Sequence, residues 1–182
     1  LSGLEFAHGI PGSVGGGLYM NAGAYGGEIR QVAVRTEFLD QEGTHHTLEG
    51  EEQGFGYRKS AFTGTSRVIV AGTFALTPGA PEEIRQRMQE LMARRKASQP
   101  LDLPSAGSTF KRPVGGYAAA LIEQAGLKGT QIGGAAVSAK HAGFVVNLGG
   151  ATESDVLALI AHVQKRVLET SGISLEPEVV RL

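Results

Sequence analysis

Apolar residues recur at three- and four-residue steps in two stretches of the chain. Val156, Ile160, Val163 and Val167 fall on one helical face; Thr152 and Asp155 precede them in the spacing of a helix cap, and Gly172 follows as a stop. Ile84, Met88, Leu91 and Met92 define a second helix, with Pro81 at its first position, Glu82 and Glu83 in its first turn and Arg94, Arg95 and Lys96 near its end. Shorter helices are predicted near Val14–Ala22 and over Gly116–Ala125, the latter closed by Gly126. A period of two marks the strands. Gln31–Asp40, a turn at Gln41-Glu42-Gly43 and a return through "THHTLEG" predict a hairpin. "RVIVAGTFAL", residues 67–76, is the strongest strand, "GFVVNLGG" is a short buried one, and "ISLEPEVVRL" is a final one. "TPGAPEE" breaks the pattern and predicts a boundary near Gly79, and "QPLDLPSAGSTFKRP" reads as a loop.

Composition narrows the picture. With 182 residues, 41% of them hydrophobic and 19% charged, the chain can bury a core. A net charge of −1 gives no basic excess for nucleic acid or a membrane surface. No apolar run approaches the roughly 20 residues of a membrane span, and no signal peptide is visible. The absence of cysteine removes disulfides and thiolate chemistry and fits a reducing, cytoplasmic setting. The five histidines have no metal-ligand spacing: His45 and His46 sit in the hairpin, and His8, His141 and His162 are scattered, so no metal is expected.

Glycine is the anomaly. Nine of the first 27 residues are glycine, most of them in "HGIPGSVGGGLYMNAGAYGG". Such a run serves positive φ and close backbone approach, holds an anion on backbone N–H groups, or simply makes tight turns. No Gly-Lys-Ser/Thr follows, and "GSVGGG" is a poor dinucleotide fingerprint. From the pattern alone, cofactor contact and a structural hinge stand level.

The wider string "GLEFAHGIPGSVGGGLYMNAGAYGGEI" resembles the second flavin-binding lobe of the UDP-N-acetylenolpyruvoylglucosamine reductases. "FGYRKSAF", "SAGSTFKRP", "GLKGTQIGGAAVSAKHAGFVVNLGGAT" and "LEPEV" follow in that family's order, and the resemblance runs over essentially the whole chain in the family's shorter form. It implies an α+β fold. Residues 1–79 would form the second half of a vanillyl-alcohol-oxidase-like (PCMH-type) FAD-binding domain, and residues 80–182 a smaller α+β substrate-binding domain. The family's first lobe, with its "GSN" loop, has no counterpart in these residues, so this chain alone is expected to bind FAD weakly or not at all and to be inactive. The implied activity of the parent chain is NADPH-dependent, FAD-mediated reduction of an enolpyruvyl UDP-sugar to UDP-N-acetylmuramate, for peptidoglycan precursors. A monomer acting on a small molecule is expected.

Hydride addition builds negative charge beside a carboxylate, and a guanidinium suits that charge; Arg58 is then the candidate, its alternative being a surface arginine at a strand end. The resemblance makes Ser108 the proton donor rather than a turn residue, and makes Glu178, rather than Glu176, the carboxylate that arranges charge around the enol. It assigns the flavin contacts to Gly9, Ile10, Pro11, Gly12, Ser13, Gly15, Gly16, Asn21, Ala22, Gly23, Ala24, Tyr25 and Gly26. For the substrate, a pyrophosphate calls for cations. Arg95, Lys96, Lys111, Arg112 and Lys128 are candidates, with Tyr25, Gln99 and Glu123 beside them; any of these can equally be solvated surface. Arg112 stands where many family members carry asparagine. Two rival functions remain: a non-catalytic nucleotide-sugar-binding module, and another flavin-linked oxidase or dehydrogenase of the same fold.

Overall fold

A computed structural model describes residues 1–180. It divides into two compact units, Leu1–Arg95 and Lys96–Leu182. Gly79, where composition predicts a boundary, lies inside the first unit. Helix α2 (Pro81–Ser98) belongs mostly to that unit: Leu91 is buried, Gly9 backs onto Met92, and Arg94 and Arg95 lie over the ring of Tyr25.

The first unit opens with a single 3-10 turn, Glu5–Ala7, and the short helix α1 (Val14–Tyr19), whose N-cap Ser13 accepts from Gly16 N. A small hairpin follows, β1 (Gly23–Ala24) and β2 (Gly27–Glu28), turning at Tyr25 and Gly26 with φ of 54° and 84°. The pattern did not announce this hairpin, because its strands are two residues each. The predicted strands are present as β3 (Ala33–Leu39), β4 (His45–Glu49) and β5 (Val68–Phe74), an antiparallel sheet in the order β4-β3-β5. Its alternation holds: Thr36 and Phe38 are buried on β3, and Thr36 donates at 2.7 Å to Gln53, itself fully buried. Phe6, Leu18 and Ile29 form the core under this sheet, with Phe55, Ile69 and Phe74 packed against them.

The second unit is a four-stranded antiparallel sheet, β6-β9-β8-β7, built from β6 (Ser105–Ser108), β7 (Gln131–Ile132), β8 (Ala135–Val137) and β9 (Phe144–Asn147). Helices α3 (Ala118–Gln124) and α4 (Glu153–Ser171) share a core with β8, in which Ile122, Val137, Leu159, Val163 and Val167 are nearly or fully buried. Ala136, Phe144 and Val146 form a separate cluster with Leu103. The capping box predicted for α4 is made in full: Thr152 accepts from Asp155 N, and Asp155 accepts from Thr152 N at 2.9 Å. The Thr152 N–H and side chain hold the Asp155 carboxyl below the usual carboxylate range.

Two expectations need correction. The loop read over "QPLDLPSAGSTFKRP" contains strand β6, which small polar residues form because β9 pairs with it. The final segment is no regular strand. Pro177 has no N–H to give, and pairing shrinks to one bridge between Phe110 and Pro177. The last two residues of that predicted strand, 181 and 182, lie outside the described residues.

Candidate active site

In the second unit, residues 108–111 are stitched on both sides. Ser108 pairs with Phe144 across a register shift at Gly107, whose φ is +82°. Thr109, buried, spends every polar group it has: its N–H donates to Gly143 O at 2.8 Å, its carbonyl accepts from Glu178 N at 2.8 Å, and its hydroxyl accepts from Val145 N at 3.1 Å. Lys111 N donates to Glu176 O at 2.9 Å, and their side chains form an ion pair. The backbone therefore brings Glu178 to Thr109, the residue after Ser108, although Ser108 and Glu178 are 70 apart by number. Ser108 is exposed and Glu178 half-buried.

His141 caps the turn before Phe144. Its Nδ1 accepts from Gly143 N at 3.2 Å, its ring meets Phe144 edge-on, and burial holds its pKa below the ordinary imidazole value.

The other substrate candidates of this unit are tied to neighbours. Lys128 pairs with Glu123 at 2.6 Å, the Arg112 guanidinium lies 4.1 Å from the centre of the Tyr117 ring, and Gln99 is half-buried. The carbonyl of Lys96 accepts from Lys140 Nζ at 2.7 Å. A cleft of about 330 Å³ beside β6 is lined largely by Val145, Val146, Val156, Ile160 and Val179, a surface too apolar for a pyrophosphate.

The first unit carries Arg58 at the tip of a tight turn. Gly56 and Lys59 exchange backbone hydrogen bonds, leaving Tyr57 and Arg58 at the corner, and Arg58 has φ of 53°. Among the described residues, the non-glycine positions with positive φ are Asn21, Tyr25 and Arg58, each of them a predicted site residue. Such conformations persist where surrounding structure over-determines them. Arg95, a candidate cation for the substrate with solvated surface as its alternative, is 6% exposed and sits 5.3 Å from the Tyr25 ring centre. No signal in the sequence separates it from its neighbours Arg94 and Lys96.

The glycine-rich segment does two jobs. Gly15, Gly17, Gly23 and Gly27 face packed neighbours, Gly27 meeting Phe6 so closely that no Cβ would fit. Gly12, with φ of +137°, has nothing near the place of a side chain, and Pro11, Gly12, Ser13 and Val14 are exposed. Gly12 and Gly26 leave open space where a side chain would stand, and residues 11–14 and Gly26 are exposed. The Asn21 side chain, by contrast, is buried and bonded within the protein. No group of three or more His, Cys, Asp or Glu suited to a metal occurs among the described residues, nor any helix long and apolar enough to cross a membrane.

Comparison with known proteins follows the same division. Residues 99–182 match the family model described as UDP-N-acetylenolpyruvoylglucosamine reductase, C-terminal domain. Over 179 residues the chain is 57% identical to the UDP-N-acetylenolpyruvoylglucosamine reductase of Levilactobacillus brevis, covering 98% of this chain and 59% of that one. It is 51% identical to the reductase of the same name from Caldanaerobacter subterraneus, covering 98% and 59%. The crystal structure of the reductase from Thermus caldophilus superimposes with a TM-score of 0.85 at 40% identity, covering 98% of this chain and 64% of that one. Fold and matches define a mixed α/β chain of a kind found in reductases. The chain belongs to the UDP-N-acetylenolpyruvoylglucosamine reductase family. It spans about three-fifths of the length of the curated relatives it matches, 59% for the first.

Proposed function

We propose that this chain supplies the proton-handling residues and part of the flavin site of an NADPH-dependent, FAD-containing reductase. In the full-length protein the enolpyruvyl group of a UDP-sugar is reduced to the lactyl group of UDP-N-acetylmuramate, in the cytoplasm, on the route to peptidoglycan. The observation that supports this reading is the bond from Glu178 N to the carbonyl of Thr109, the residue that follows Ser108.

FAD, when bound, supplies the hydride, which it takes from NADPH. Residues 11–14 and Gly26 offer such a group an exposed surface, and within the segment from Gly9 to Gly26 we assign the flavin contacts, with the open positions outermost. The protein's own groups do the rest. Arg58 holds the enolpyruvyl carboxylate and offsets the negative charge that builds beside it. The Ser108 hydroxyl gives its proton to the enol carbon, so hydride and proton together saturate the double bond. Glu178 fixes the electrostatic setting of that transfer, and its backbone is anchored to Thr109 for the purpose. Lys111 and Arg112, close behind Ser108 in the chain, are the cations assigned to the pyrophosphate, Lys111 exchanging its Glu176 partner for phosphate.

Ser108→Ala tests the assignment in a protein completed to the length of the relatives. Reduction of the flavin by NADPH should proceed as before, while its reoxidation by the enolpyruvyl UDP-sugar slows on the order of 10²–10⁴-fold. An equal fall in both half-reactions, with an unchanged melting curve, would remove Ser108 from the chemistry. Tight UDP-sugar binding with no reduction in the unsubstituted protein would favour a binding module instead.

A further inference from the structure

The corner that presents Arg58 is tied at both ends, and both ties lead to one place. On the entering side, Asn21 Nδ2 donates to the Gly56 carbonyl at 3.1 Å. On the leaving side, Ser60 Oγ donates to the Tyr19 carbonyl at 2.6 Å. Tyr19 and Asn21 flank the C-terminal end of α1, the helix made by the glycine-rich segment. Both tying side chains are buried, Asn21 at 2% exposure and Ser60 at 7%. Asn21 is itself locked: Nδ2 also donates to Glu28 Oε2 at 2.7 Å, and Oδ1 accepts from Arg30 N at 2.9 Å.

These ties bear on the left-handed backbone of Arg58. A long side chain relaxes out of that region when it can, and relaxation would redirect its Cα–Cβ bond. Clamping Gly56 and Ser60 to the end of one helix blocks the escape from both sides. We infer that Asn21 and Ser60 are positioning residues, which hold the Arg58 turn in fixed register with the glycine-rich segment. The inference rests on the role proposed for Arg58 in the reductase reaction.

The experiment is a double-variant comparison in the full-length protein, read by stopped-flow on the two half-reactions. Ser60→Ala removes one tie. It should leave flavin reduction by NADPH within about twofold and slow reoxidation by the enolpyruvyl UDP-sugar about tenfold or more. In an Arg58→Ala background the same change should add nothing, because the residue it positions has gone. Ser60→Thr, which keeps the hydroxyl, should restore most of the rate. Normal reoxidation in Ser60→Ala, or losses that multiply with those of Arg58→Ala, would overturn the inference. Unimpaired reoxidation in Arg58→Ala alone would overturn the reading beneath it as well, a result that stands apart from the other two. Should Ser60→Ala not fold, Ser60→Cys keeps the volume with a weaker donor and takes its place.

Discussion

The ring of Phe6 lies against a position with no side chain. A Cβ on Gly27 would stand 2.7 Å from the Phe6 Cβ and closer still to the ring, inside any van der Waals limit. Gly27→Ala should therefore destabilise the protein by about 1–3 kcal/mol, the usual cost of overpacking, and a urea melt checks it. Unchanged stability would mean that the hairpin β1–β2 shifts away from Phe6 at little cost. From the sequence, Gly27 and Gly12 look alike, yet one makes room for a core aromatic and the other faces outward with φ of +137°. Only the partner across space separates these uses, and a linear string does not hold it. Arg95 hides for the same reason: its stack on Tyr25 joins residues 70 apart by number.

Helix α4 was legible because its information is local. Cap, apolar stripe and terminal glycine all lie within the stretch from Thr152 to Gly172, and the structure uses each as predicted, with Gly172 at φ of 71°. Thr152→Ala removes the hydroxyl that accepts from Asp155 N and should cost about 1 kcal/mol, seen as a lower midpoint in thermal or urea unfolding. Strands β3, β4 and β5 were legible from alternation and β-branched residues. Strand β6 was not. "SAGS" has no apolar period and contains a glycine, and its extended form comes from β9 alongside it. The candidate site inherits this split. Ser108, Glu178 and Arg58 were named through the resemblance, whereas the pairings of Ser108 with Phe144 and of Glu178 with Thr109, and the ties that hold the Arg58 turn, emerge only from long-range contacts.

At the scale of the molecule, the chain is two units, and its relatives are longer by about the same margin in each comparison, with 59% and 64% of their lengths covered. The 182 residues purified alone are expected to lose FAD on dialysis, while a protein completed to the relatives' length keeps close to one FAD per chain. Absorbance near the flavin bands measures this, and equal retention by the two proteins would show that this chain holds the whole cofactor site. The anchoring of Glu178 on Thr109 has a consequence for biogenesis. The serine's strand emerges from the ribosome long before the segment that docks on it, and contacts of such wide separation close late. The bond between Thr109 and Glu178 thus waits until the whole of helix α4, which lies between them in the chain, has been made.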